Sequence, residues 1–228
     1  MKKTAILIDA EWFRKLLQRF FAPPRGSPPG TPGGLVAGVT ADVFYRNGAA
    51  VIDGAAEEIF RIFCYDCEPF SKSQQNPIDR SIMRFGPGNA NFDARMLFFK
   101  ELGEKPYIAL RRGQVRGRGW EIKESKVEEL MKSASSATFK ATLAPTDIKF
   151  ALEQKGVDMR IGMDVATLSI KKLVDRIVLI SGDTDLVPAI KLARREGIQV
   201  AVTQIGAFRL APQLIEDSDF LRILTPSP

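Results

Sequence analysis

Short apolar runs in this chain end in carboxylates, and those carboxylates are its best material for catalysis. Asp9 closes the run TAILI, and Ser181-Gly182-Asp183-Thr184-Asp185 closes RIVLI. The segment QKGVDMRIGMD adds Asp158 and Asp164, and Asp164 joins the others if it starts or lies early in a helix. The chain has no histidine, which removes the commonest general base and the commonest zinc ligand. One Asp at a helix start reads equally well as a cap. Several at one sheet edge repel each other unless a cation sits among them. Hard oxygen donors without imidazole suit Mg²⁺ or Mn²⁺ rather than zinc. Such an ion lowers the pKa of a bound water and holds a phosphate, which is phosphodiester hydrolysis without histidine. Ser181 and Thr184 offer hydroxyls to a phosphate or a water in the same stretch.

Positioning these groups falls to alternating strands and helices. Residues 4–9 read as a buried strand, and 10–21 as a helix with Trp12 or Phe13, Leu16, Leu17 and Phe20 on one face. A second helix is expected within 35–47, and a strand at 58–66 ends in Asp66. Helix returns near 92–103, followed by two strands at 106–115 and 118–123. Residues 157–173 form a helix or a short turn leading into one. Strand 176–181, helix 184–195 ended by Gly197, and strand 198–203 make a βαβ unit, which implies a parallel sheet. The expected architecture is a three-layer α/β domain over residues 1–228. The Pro/Gly-rich stretch 22–34 is expected as a loop, and 68–92 and 132–146 as surface insertions.

With 33 Lys+Arg against 27 Asp+Glu the net charge is +6, compatible with a polyanionic partner. Arg111, Arg112, Arg116 and Arg118, with Trp120 beside them, read either as a track for an RNA backbone with a stacking ring or as a solvated hairpin with glycine turns. Cys64 and Cys67 lack the further soft ligands a metal site needs, and two cysteines make no disulfide framework. No apolar run approaches the ~20 residues of a membrane helix. A cytoplasmic protein with no membrane partner is expected; whether it forms a homo-oligomer is left open.

ILIDAEWF, QKGVDMRIGMD and LISGDTDLVPAIKLARREG resemble three motifs of the NYN domain family, the LabA-like branch of the PIN-like nucleases. RIFCYDCEP resembles the family's strand ending in Tyr-Asp, and LRRGQVRGRGWEIK its Gly-containing strand pair. The resemblance implies a PIN-like Rossmannoid fold and Mg²⁺- or Mn²⁺-dependent ribonuclease activity. Asp9, Asp164, Asp183 and Asp185 would then ligate metal or position water, and Asp158 would be a fifth ligand or a helix cap. One departure is Trp12, where many members carry Asn three residues after the first Asp. Rival readings are a non-catalytic RNA-binding module of the same fold, a nuclease acting on DNA, and a haloacid-dehalogenase-type phosphatase. The last would need a second Asp where this chain has Glu11.

Overall fold

The computed structural model describes residues 1–22, 39–133 and 143–228. Most of the Pro/Gly stretch 22–34 and the middle of 132–146 lie outside them. In chain order the elements are β1 (Lys2–Asp9), α1 (Ala10–Phe21), α2 (Ala41–Ala49), β2 (Glu57–Glu68), β3 (Gln74–Gln75), β4 (Ile82–Met83), α3 (Ala90–Gly103), β5 (Ile108–Ile122), α4 (Glu124–Ser133) and β6 (Ile148–Lys155). They continue with α5 (Val157–Ile170), β7 (Arg176–Ile180), α6 (Val187–Arg195), β8 (Gln199–Ile205), α7 (Pro212–Glu216) and β9 (Phe220–Leu224). The fold is α/β: seven strands in the order β6-β5-β2-β1-β7-β8-β9 form the central sheet, flanked by helices. Among the described residues no helix is long and apolar enough to cross a membrane.

Two compact units share the chain. The first comprises Met1–Asp66, Leu97–Gly113 and Gly156–Pro228 and holds the parallel core of the sheet. There β1 pairs in parallel with both β2 and β7, β7 with β8, and β8 with β9. A strand covered on both faces should read as a continuous apolar run rather than an alternating one. Ala5, Ile6, Leu7 and Ile8 in β1 are all fully buried, as that rule requires. On α1 the spacing Ala10, Phe13, Leu16, Leu17 faces the core, whereas Phe20 is 47% exposed and Trp12 only half-buried. Helix α6 begins three residues later than expected, because residues 184–186 form a 3-10 turn first. Gly197 ends it as expected, with φ at +80°, a conformation only glycine takes without strain. Helix α7 and strand β9 complete this unit and carry no strong periodicity of their own.

The second unit, Cys67–Met96 and Gln114–Lys155, takes in the residues read as the two insertions. Within 68–92 the chain forms regular structure. β3 and β4 form an antiparallel ribbon, and buried Asn76 closes it by accepting from Ile78 N–H and donating to the Pro145 carbonyl. The two strands expected at 106–115 and 118–123 are one strand, β5, whose far half pairs antiparallel with β6. Gly117 and Gly119 mark a bulge rather than a hairpin turn. Trp120 packs edge-on against Phe150 at 5.6 Å, within a cluster that includes Phe70 and Phe85.

Glu57 anchors the opposite end of the parallel strands from the aspartates. It is buried and accepts two hydrogen bonds from Arg222, at 2.7 and 2.8 Å, one from Arg176, and one from the Asp53 N–H at 2.9 Å. Phe220 lies under both guanidiniums, 4.7 Å from Arg176 and 5.5 Å from Arg222.

Candidate active site

Parallel register decides which side chains meet. Because Ile8 is opposite Ile180 and Asp9 is opposite Tyr65, the carboxyl ends of β1, β2 and β7 fall at one edge of the sheet. Such an edge is where ligands bind in open α/β sheets. Helix α5 leads back to the start of β7, so its own first turn lies at the same edge. That turn carries Asp158.

The four carboxylates Asp9, Asp158, Asp183 and Asp185 are linked through their charges. Burial raises the Asp9 pKa to about 6, against the pull of a hydrogen bond from the Trp12 N–H and helped by Asp158, Glu11 and Asp66. Asp158 is raised by partial burial and by the charges of Asp183 and Asp185. Two of the four also cap their own elements. Asp9 Oδ1 accepts from the Trp12 N–H at 3.1 Å, and Asp183 Oδ1 accepts from the Asp185 N–H at 2.9 Å. Capping therefore accounts for the orientation of Asp9 and Asp183, and none of the four carboxylates has an ion pair among the described residues.

Asp164 has partners of its own. It follows Asp158 by six residues, a rise of about 9 Å and a turn of roughly 120° around an α-helix. Its Oδ2 accepts from the Tyr65 hydroxyl and from Arg111 Nε, both at 2.8 Å. Burial, together with the Asp164 charge, keeps Tyr65 protonated well above the ordinary tyrosine range, so it remains a donor. Tyr65 is also the ladder partner of Asp9. Asp66, one residue on, is buried and pairs with Arg14 of α1 at 3.0 Å. Arg14, Tyr65 and Asp66 were not among the sequence candidates. The Tyr-Asp pair, read as the end of a strand at 58–66 and lying two residues before the end of β2, was the signal for the last two.

The hydroxyls differ in access. Ser181 is fully buried, and its Oγ accepts from the Asp183 N–H at 3.2 Å, bracing the loop from inside; Thr184 is exposed at the head of the 3-10 turn. The arginine run is divided. Arg111 is engaged with Asp164 and lies 5.0 Å from the Phe63 ring, and Arg112 lies 5.1 Å from Phe99, both in the first unit. Arg118 pairs with Glu153 at 3.1 Å, and Arg116 is exposed, both in the second. Cys64 and Cys67 are buried and form no disulfide.

Hard carboxylate donors with unbalanced negative charge fit a divalent ion of the Mg²⁺ class. Among the described residues no three carboxylates converge as ligands for one ion. Magnesium is commonly held by one or two carboxylates, with waters and substrate phosphates completing the shell, so this donor set still fits.

An α/β sheet with aspartates from β1, α5 and the end of β7 at its carboxyl edge defines a PIN-like arrangement. The NYN domain family matches residues 65–224, and the chain belongs to that family, a family of PIN-like nucleases. The match takes in Asp158, Asp164, Asp183 and Asp185 and begins after Asp9. No curated protein matches the chain. A solved structure of a protein of unknown function from Vibrio parahaemolyticus is similar at 13% identity and a TM-score of 0.46, covering 98% of this chain and 93% of that one.

Proposed function

We propose that the protein is a metal-dependent endoribonuclease, hydrolysing RNA phosphodiester bonds at the aspartate edge with Mg²⁺ or Mn²⁺. The observation that carries this reading is the negative charge of Asp9, Asp158, Asp183 and Asp185, drawn from separate elements, with no ion pair to any of them among the described residues. In a member of a nuclease family, that charge is the complement of a divalent ion and of the phosphate it brings. Asp9, Asp158, Asp183 and Asp185 would hold the metal. When bound, the ion supplies an activated water and neutralises charge on the scissile phosphate. Asp164 would act by fixing Tyr65 beside Asp9, with Arg111 holding Asp164 in turn. Two unlinked cysteines accord with a cytoplasmic setting.

The test is cleavage of a mixed-sequence RNA with magnesium, manganese or EDTA, with Asp183→Asn alongside. Metal-dependent cutting should fall at least ~100-fold in the variant, since metal-bound water supplies most of the rate. The amide keeps the cap, so the circular dichroism spectrum should not change. A variant that cuts at the parent rate removes Asp183 from the centre. A folded parent that cuts with neither metal favours the RNA-binding module, for which the indole of Trp12 beside Gly182 is the supporting feature.

A further inference from the structure

A phosphate backbone approaching four aspartates is repelled until a metal arrives, so affinity for the strand has to come from neighbouring groups. Trp12 and Phe208 are placed to supply it. The Trp12 indole lies so close to Gly182 that a Cβ on that residue would stand 2.5 Å from Nε1. Phe208 meets the same indole edge-on, with ring centroids 5.8 Å apart at 80°. Phe208 sits in the turn between β8 and α7, fixed by its own N–H to the Ile205 carbonyl at 3.0 Å and by the Gly206 N–H to the Leu224 carbonyl at 2.8 Å. On this rigid turn the ring is 41% exposed. Arg209 follows it, exposed and without an ion pair among the described residues. A cavity of about 620 Å³ opens beside them, with apolar walls from Leu210, Pro212 and Ile215 and with Gln204, Arg209 and Glu216 as its polar groups.

A single exposed phenylalanine needs no explanation. This one is separated from the Gly182–Asp183 backbone by one indole ring and carries a cation at the next residue, and its chain neighbours Ala207 and Arg209 line a cavity sized for a small ligand. We infer that Phe208, backed by Trp12, is a stacking platform for an unpaired base next to the scissile phosphate, with Arg209 on the adjoining phosphate. This inference rests on the nuclease reading of the aspartate edge and adds the residues of this chain that would hold an unpaired base beside it. A duplex keeps its base faces stacked inside and cannot use the platform, whereas a ring stacks any unpaired base.

The experiment measures binding of a short fluorescein-labelled single-stranded RNA, and of the same RNA annealed to its complement, with calcium or EDTA in place of magnesium. Phe208→Ala and Phe208→Leu should each weaken single-strand binding roughly 5- to 100-fold, the value of one base stack, and leave duplex binding unchanged. Leucine keeps the apolar bulk, so its failure to restore binding separates stacking from packing. In a Trp120→Phe background Trp12 is the remaining tryptophan, and its emission should respond to single strands only. Both variants binding like the parent, or a parent that binds no single strand in either condition, would overturn the inference. Binding that depends on Phe208 in a protein that never cuts would keep the platform and reject the nuclease reading. Metal-dependent cutting indifferent to Phe208 would do the reverse.

Discussion

Asp9→Asn should unfold several degrees above the parent at pH 7 while losing metal-dependent cleavage. The carboxyl of Asp9 titrates at about 6 in the folded protein against 3.8 for an unperturbed group. The folded state therefore holds its proton to higher pH than the unfolded state does. The contribution of Asp9 to stability falls as pH rises from about 3.8 to about 6 and is constant above that. The difference amounts to about 3 kcal/mol at pH 7. Asparagine removes that cost and still accepts the Trp12 N–H, so the cap survives. The stability gain should be absent near pH 3, grow between about pH 4 and 6, and be complete above. Manganese should raise the melting temperature of the parent more than that of the variant, because the ion neutralises the charge that asparagine lacks. Equal melting temperatures at pH 7, with activity intact, would mean that Asp9 carries neither strain nor function.

Glu57→Gln should have the opposite effect on stability and none through the site. Burial alone would raise the Glu57 pKa, but hydrogen bonds from Arg222, the Asp53 N–H and Arg176 hold it at about 2. A depressed carboxylate contributes stability that is complete above its unfolded value of 4.5 and is lost as pH falls toward 2. The substitution leaves two guanidiniums partly buried without their counter-charge, a loss on the order of 3–5 kcal/mol at neutral pH. The gap between parent and variant should narrow as pH is lowered from 4.5 to 2. Chemical denaturation at pH 7 and pH 3 measures both parts. A variant as stable as the parent at pH 7 would show the network to be replaceable.

Elements with a local signature were legible in the chain. TAILID, AEWFRKLLQRFF, RIVLI and IQVAVT became β1, α1, β7 and β8 within one or two residues, because an apolar run between covered faces and an apolar stripe at helical spacing are properties of a few consecutive residues. Strand β6, with its sequence IKFALEQK, went unread because its charged and apolar residues make sense only against β5. The glycines of β5 looked like turns for the same reason. A bulge and a hairpin share composition and differ in the partner strand. Family membership was legible as well, since its motifs are short stretches that survive without the fold.

The sequence alone determined the chemistry available: carboxylates at the ends of strands, no histidine, and hence oxygen donors for a hard ion. Tertiary structure decided which of those carboxylates keep an unbalanced charge. Asp66 meets Arg14 and Asp164 meets Tyr65 and Arg111, across gaps of about 50 to 100 residues. Asp9, Asp158, Asp183 and Asp185 have no ion pair among the described residues, and charge couples Asp9 to Asp158 and Asp158 to Asp183 and Asp185. Asp158 lies in the first turn of α5, which begins just after Gly156, and its charge couples to Asp183 and Asp185, whereas Asp164 lies six residues further along the helix. Residue type is a local property written in the chain. Charge balance depends on distances between remote segments, and only the packed sheet sets those.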